Sequence, residues 1–188
     1  MSATSTEAVI EPADERAGYA WYVLFLLTFA FTVAFIDRQV LNLLVEDIKR
    51  DLLLTDTQLS LLQGIAFMGS YIVFSPWFGR WADVGTRRNI LVFGVATWSV
   101  CSALCGFAET YWQLFLARFA VGAAEASLAP VAWSLIADYF SRERLPRAMS
   151  IYLMGAYIGG GLAMIAGGMV VGSMSTLREL APMFADMQ

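Results

Sequence analysis

Four stretches of this chain run for membrane length without one charged residue: residues 17–36, 57–79, 89–108 and 148–177, which are 20, 23, 20 and 30 residues long. About 20 apolar residues, rising 1.5 Å each, cross the roughly 30 Å hydrocarbon layer of a bilayer. A fifth stretch, residues 110–137, is equally apolar but carries Arg118 and Glu125. With that stretch taken as a span, five crossings use most of the 188 residues and leave little for a water-soluble domain. The chain is 59% hydrophobic and 15% charged, against roughly half and a quarter in an ordinary soluble domain.

Lipid offers the backbone no hydrogen-bond partners, so a chain with this pattern satisfies its N–H and C=O groups within helices. The expected fold is therefore an all-α membrane protein with five transmembrane helices, at about 19–45, 58–82, 88–108, 111–140 and 146–173. Residues 1–18 are polar and acidic, lack the basic-then-apolar order of a signal peptide, and are expected to form a disordered cytoplasmic tail. Residues 174–188, with Arg178, Glu179 and Asp186, are expected to form a polar tail too short to span, so no sixth helix follows.

Signals at the helix ends support these boundaries. Thr55 and Gln58 have capping-box spacing ahead of the second run, and Pro146 suits the first turn of the fifth, where an N–H has no partner to lose. Tyr19, Trp21, Tyr22, Trp77, Trp81, Tyr111 and Trp112 cluster at run ends, as interfacial aromatic rings do. Lysine and arginine near the spans number 7 on the amino-terminal side and 3 on the other, which predicts a cytoplasmic amino terminus in a cell membrane, plasma or inner. Gly155/Gly159 and Gly168/Gly172 have the four-residue spacing that lets helices approach closely.

Several function classes are disfavoured by composition. No histidine is present, which removes histidine general-base chemistry and histidine ligation of zinc or haem. The net charge of -4 and the lack of a basic patch argue against a nucleic-acid partner. Cys101 and Cys105, four apart in the third run, read as small packing residues rather than a metal site. No enzyme, cofactor or metal is expected.

Four charges do fall within apolar runs: Asp37 and Arg38 in the first, Arg118 and Glu125 in the fourth. Each costs about 2.5 to 3.5 kcal/mol near the bilayer centre, so they are expected to face one another or a wet cavity. Helix rise sets their depth. Asp37 lies about 27 Å from the inner end of its helix and about 12 Å from the outer, while Arg118 lies about 9 Å and Glu125 about 20 Å below the outer end of theirs. Asp37 and Arg118 are therefore expected to meet, with Glu125 deeper in the same cavity and Arg38, about 100° round from Asp37, facing another acid or the lumen. A carboxyl whose proton affinity desolvation raises and an arginine lowers is a reversible proton acceptor. The alternative is that these pairs only lock two helices together.

The cytoplasmic turn between the second and third runs reads Gly79-Arg-Trp-Ala-Asp83-Val-Gly85-Thr-Arg87-Arg88. It resembles the loop signature of the major facilitator superfamily: glycine, three residues, aspartate, then a basic pair. The stretch from Arg118 to Glu125 is similar to that superfamily's fourth-helix motif, and the DRQVL, LLQGIAFMGSYIVFSPWFGRWAD and SLIADYFSRERLPRAMSIY segments resemble its Spinster-type and anion-transporter branches. The resemblance covers residues 20–172. It implies a secondary transporter of two six-helix halves with alternating access, of which this chain resembles the amino-terminal half, the sixth helix and the carboxyl-terminal half being absent. It also implies proton coupling through acids on helices one and four, and a cytoplasmic gating network of Gly79, Asp83, Arg87, Arg88 and Asp138. Val84 replaces the usual basic residue of the loop and Thr86 the usual glycine, and the fifth helix lacks the antiporter proline.

The expected activity is proton-coupled movement of a small organic anion, drug or amphipathic lipid, with the bilayer, a small-molecule substrate and protons as partners. A full path would need the missing carboxyl-terminal half or a second copy. The alternatives are a homo-oligomeric half-transporter or channel, or a membrane fragment that does not transport.

Overall fold

The computed structural model describes the backbone of residues 13–185 and the side chains of residues 18–169. Eight α-helices follow one another: α1 (Ala13–Leu43), α2 (Val45–Asp51), α3 (Asp56–Leu61), α4 (Ser70–Val84), α5 (Arg87–Cys105), α6 (Tyr111–Glu125), α7 (Leu128–Tyr139) and α8 (Leu145–Ala185). A π-helical stretch, Leu62–Gly69, joins α3 to α4. They make five membrane-length rods: Gly18–Leu43, Asp56–Val84, Arg87–Cys105, Tyr111–Tyr139 and Leu145–Met169.

The boundaries differ from the sequence reading in several places, the third rod for one ending at Cys105 rather than at 108. The first rod stops at Leu43, and a short helix with Glu46, Asp47, Lys49 and Arg50 follows. Helix α1 begins at Ala13, inside the stretch expected to be disordered; the rest of that expected tail lies outside the described residues. Helix α8 continues past residue 173 to Ala185, so the expected polar tail is helical in its backbone as far as residue 185, while its last three residues and its side chains lie outside the described residues.

Local chemistry accounts for the starts and breaks. Thr55 and Gln58 form a reciprocal capping box at the start of α3, and Thr110 and Gln113 form one at the start of α6. Thr110→Ala is expected to cost about 1 kcal/mol by freeing a first-turn N–H, while Thr110→Ser is neutral; thermal unfolding in micelles measures both. The fourth rod breaks between α6 and α7 at Ala126 and Ser127. Pro130 lies four residues beyond Ala126, and its ring and missing N–H oppose the regular bond to that carbonyl. The Ser127 hydroxyl donates to the Ala124 carbonyl instead, at 2.8 Å.

The fourth rod is the centre of the bundle. Ala132 and Ile136 pack with Leu24 and Leu27 of α1 and with Ala148 and Tyr152 of α8. Ala126 and Val131 pack with Phe78 and Ile90, and Ala124 and Leu128 with Ala34 and Trp98. Helix α8 lies closely along α1. A Cβ on Gly155 would sit 2.9 Å from the Thr28 carbonyl oxygen and one on Gly159 would sit 2.5 Å from that of Thr32, so only glycine permits this approach. Gly168 of the second glycine pair faces open space, and the Gly172 side lies outside the described residues. Phe25, Phe29, Ile72, Val73, Phe93, Met164 and Ile165 point outward, as lipid-facing side chains do.

Candidate functional site

Helices α1 and α6 meet inside the bundle and bring four charges together. Arg118 donates to Asp37 Oδ2 from Nη1 at 3.3 Å. Arg38 donates to Glu125 Oε2 from both Nε and Nη2, at 2.8 and 2.6 Å. Glu125 is 1% exposed and Arg118 5%, whereas the side chains of Asp37 and Arg38 are 17% and 26% exposed. The deep members belong to α6 and the more accessible ones to α1. All four side chains point between helices rather than into the acyl region.

Four residues with no charge complete the arrangement. The Ser102 hydroxyl of α5 donates to Asp37 Oδ1. The Arg38 guanidinium lies 5.3 Å from the ring centre of Phe35, 5.1 Å from Phe67 and 5.4 Å from Tyr71. Ring faces stabilise a cation where water is scarce, so Arg38 is held on one side by a carboxylate and on the others by aromatic rings. The π-helical stretch contributes Phe67, and π-helical turns often occur at functional positions. The Ser70 hydroxyl holds the end of that stretch by donating to the Ala66 and Phe67 carbonyls at 2.6 and 2.9 Å.

None of these uncharged residues was identified in the sequence. A serine and three aromatics inside apolar runs look like packing. The usable signal was spacing: Phe35 lies three residues before Arg38, and Phe67 and Tyr71 are four apart.

Among the described residues, three buried polar atoms have no protein partner: Arg118 Nε, Glu125 Oε1 and the Tyr152 hydroxyl. Buried polar groups in folded proteins almost always have one, so the site retains one donor and one acceptor on α6 for water, proton or ligand. Among the described residues no cluster of histidine, cysteine, aspartate and glutamate could hold a metal ion.

At the opposite end of the bundle, Arg87 of α5 pairs with Asp138 of α7, and Arg87 Nε donates to the Ala82 carbonyl at 3.2 Å. Gly79 is half-buried against Pro130. Asp83 and Arg88 are exposed, with no ion pair among the described residues. The structure thus brings together two of the charged residues expected there and leaves two apart. Outside the spans, Lys49 of α2 pairs with Asp56 of α3, and the hydrogen bond to that carboxylate, with its negative charge, raises the ammonium's affinity for its proton.

Five apolar rods with oppositely charged side chains gathered between the first and fourth define a multi-pass helical membrane protein with a polar interior. The Major Facilitator Superfamily family model matches residues 27–178. The chain belongs to the Major Facilitator Superfamily. Among curated relatives, it is 32% identical over 155 residues to human Protein spinster homolog 1, covering 81% of this chain and 29% of that protein. It is 31% identical over 144 residues to the Sphingosine-1-phosphate transporter SPNS2 of Danio rerio, covering 76% of this chain and 28% of that one. A crystal structure of a bacterial homolog to the human lysosomal transporter Spinster, inward-facing and occupied, superposes with TM-score 0.78 at 36% identity, covering 82% of this chain and 33% of the other. The chain therefore spans about 29% of the length of its curated relatives.

Proposed function

We propose that this chain forms the amino-terminal part of a secondary transporter in which the Asp37–Arg118 and Arg38–Glu125 pairs couple proton binding to substrate movement. The observation that carries the reading is the pair of opposite-charge contacts between α1 and α6, each including one deeply buried member. Such charges are costly in a membrane and mark proton and substrate paths. Each acid is neutralised by an arginine or by a proton. A proton on Glu125 frees Arg38, and a proton on Asp37 weakens the hold on Arg118. The freed cations then attract an anion from the lumen.

The substrate class that fits two releasable arginines beside aromatic rings is a small organic anion or an amphipathic lipid with an anionic headgroup. The relative named for sphingosine-1-phosphate transport supports the amphipathic choice. In secondary transporters the substrate site lies between two repeats or halves, so the other wall of the path comes from a carboxyl-terminal half or from a second copy. The distribution of lysine and arginine supports a cytoplasmic amino terminus in a cell membrane, and on that orientation Gly79, Asp83, Arg87, Arg88 and Asp138 would form a cytoplasmic gate.

The test is uptake of a labelled amphipathic phosphate into liposomes carrying the chain under an imposed pH gradient. The expected result is gradient-driven uptake whose pH dependence is lost in Glu125→Gln and Asp37→Asn. Uptake with the same pH dependence in both variants removes the proton role. Crosslinking the same preparation reports whether a second copy supplies the other wall, and a crosslinked dimer without flux counts against the transport reading.

A further inference from the structure

The Asp37 carboxyl is gripped by two elements through different chemistry. Its Oδ2 faces Arg118 of α6, and its Oδ1 faces the Ser102 hydroxyl of α5. A guanidinium only donates, so its hold is strongest on the ionised acid and weakens when the acid is protonated. A hydroxyl both donates and accepts, so it can donate to the ionised carboxylate and accept from the protonated acid without changing place. The arginine contact is also a long one. At 3.3 Å it lies beyond the usual N–H···O range, and Arg118 Nε makes no second bond to the acid.

Among the described residues no other group hydrogen-bonds Oδ1. Arg38, next along α1, is turned to Glu125. Glu125, seven residues beyond Arg118 on α6, and the Cys105 thiol on α5 lie within electrostatic range of Asp37 but make no hydrogen bond to it among the described residues.

We propose that Ser102 is a positioning residue that keeps Asp37 in register in both of its protonation states, so that protonation of Asp37 loosens its tie to Arg118 of the fourth span while its tie to the third span stays in place. The inference deepens the proposed proton coupling and rests on it. It assigns the third span to stay with the first at this point, and makes the Asp37–Arg118 contact the one that opens.

The experiment is thermal unfolding of the full chain in lipid nanodiscs at neutral and acid pH. Ser102→Ala is expected to lower the midpoint by about 3 °C at both pH values, the effect of losing one buried hydrogen bond in a chain of this size. Ser102→Thr keeps the hydroxyl and is expected to restore the midpoint. Arg118→Gln is expected to cost stability at neutral pH and much less in acid. In an Asp37→Asn background, which fixes a neutral side chain with an acceptor oxygen, the Ser102→Ala penalty persists and is independent of pH. Should Ser102→Ala not fold, Ser102→Cys, a weak donor of similar size, is read in its place.

A penalty that disappears in acid or in the Asp37→Asn background overturns the inference, as does a threonine variant that behaves like alanine. A persistent Ser102 penalty alongside unchanged pH dependence of uptake in Asp37→Asn and Glu125→Gln would leave the contact standing and remove only its role in proton coupling.

Discussion

Replacing Arg38 with alanine is expected to remove most folded protein from detergent extracts. Glu125 is fully buried, and Arg38 supplies both of its hydrogen bonds. Stranding a buried charge in this way costs about 3 to 5 kcal/mol, a large part of the roughly 5 to 15 kcal/mol that holds a typical domain together. The converse change, Glu125→Gln, is expected to be much milder. Arg38 is partly exposed and sits among Phe35, Phe67 and Tyr71, whose ring faces continue to stabilise an unpaired cation. Removing both charges together, as Arg38→Met with Glu125→Met, should recover most of the loss because no stranded ion remains. Folded yield and thermal midpoint of the three variants give the comparison. Equal losses in Arg38→Ala and Glu125→Gln would contradict the asymmetry in burial on which the expectation stands.

Gly122→Val is expected to have the second largest effect. A Cβ at this position would collide with the Phe67 carbonyl oxygen and the Ser70 hydroxyl, and would still meet the Phe67 carbonyl carbon at 3.1 Å. The obstruction is mainly backbone, so a rotamer change cannot relieve it, and the second rod must move away from the fourth. Overpacking of this kind costs about 1 to 3 kcal/mol, on the order of 2 to 12 °C in the midpoint for a chain of this size. The shift also carries Phe67 away from Arg38, so the variant should lose the arginine's ring contacts along with stability. Intrinsic Trp fluorescence during heating, with Gly122→Ala as the smaller step, measures the first effect. A valine variant as stable as the original chain would mean that the two rods are not in contact there.

The five rods were legible because lipid imposes one strong rule, a charge-free run long enough to cross it, and residues 17–36, 57–79, 89–108 and 148–177 obey it. The meeting of Asp37 with Arg118 was legible for a similar reason, since helix rise fixes depth and opposite charges at one depth have few alternatives. The choice of Glu125 by Arg38 was not fixed by depth. It depends on how α1 is rotated about its axis, which the packing of Gly155 and Gly159 against Thr28 and Thr32 helps to set. Ser102 stayed hidden because one hydroxyl in an apolar run carries no period and little insertion cost. Phe67 and Tyr71 stayed hidden because aromatic side chains in a membrane helix need no explanation beyond packing. The π-helical stretch and the charged helix after Leu43 arise from tertiary packing and loop closure, which hydrophobic pattern does not encode.

The interruption in the fourth rod sits immediately after Glu125, and the straight segment beyond it ends next to Asp138. Helix α7 is 12 residues long, or about 18 Å from end to end. In the proposed coupling it serves as a lever pivoting beside the buried acid, with the partner of Arg87 at its tip. A tilt of about 10° there would sweep the tip by about 3 Å over that length, as wide as a hydrogen bond is long.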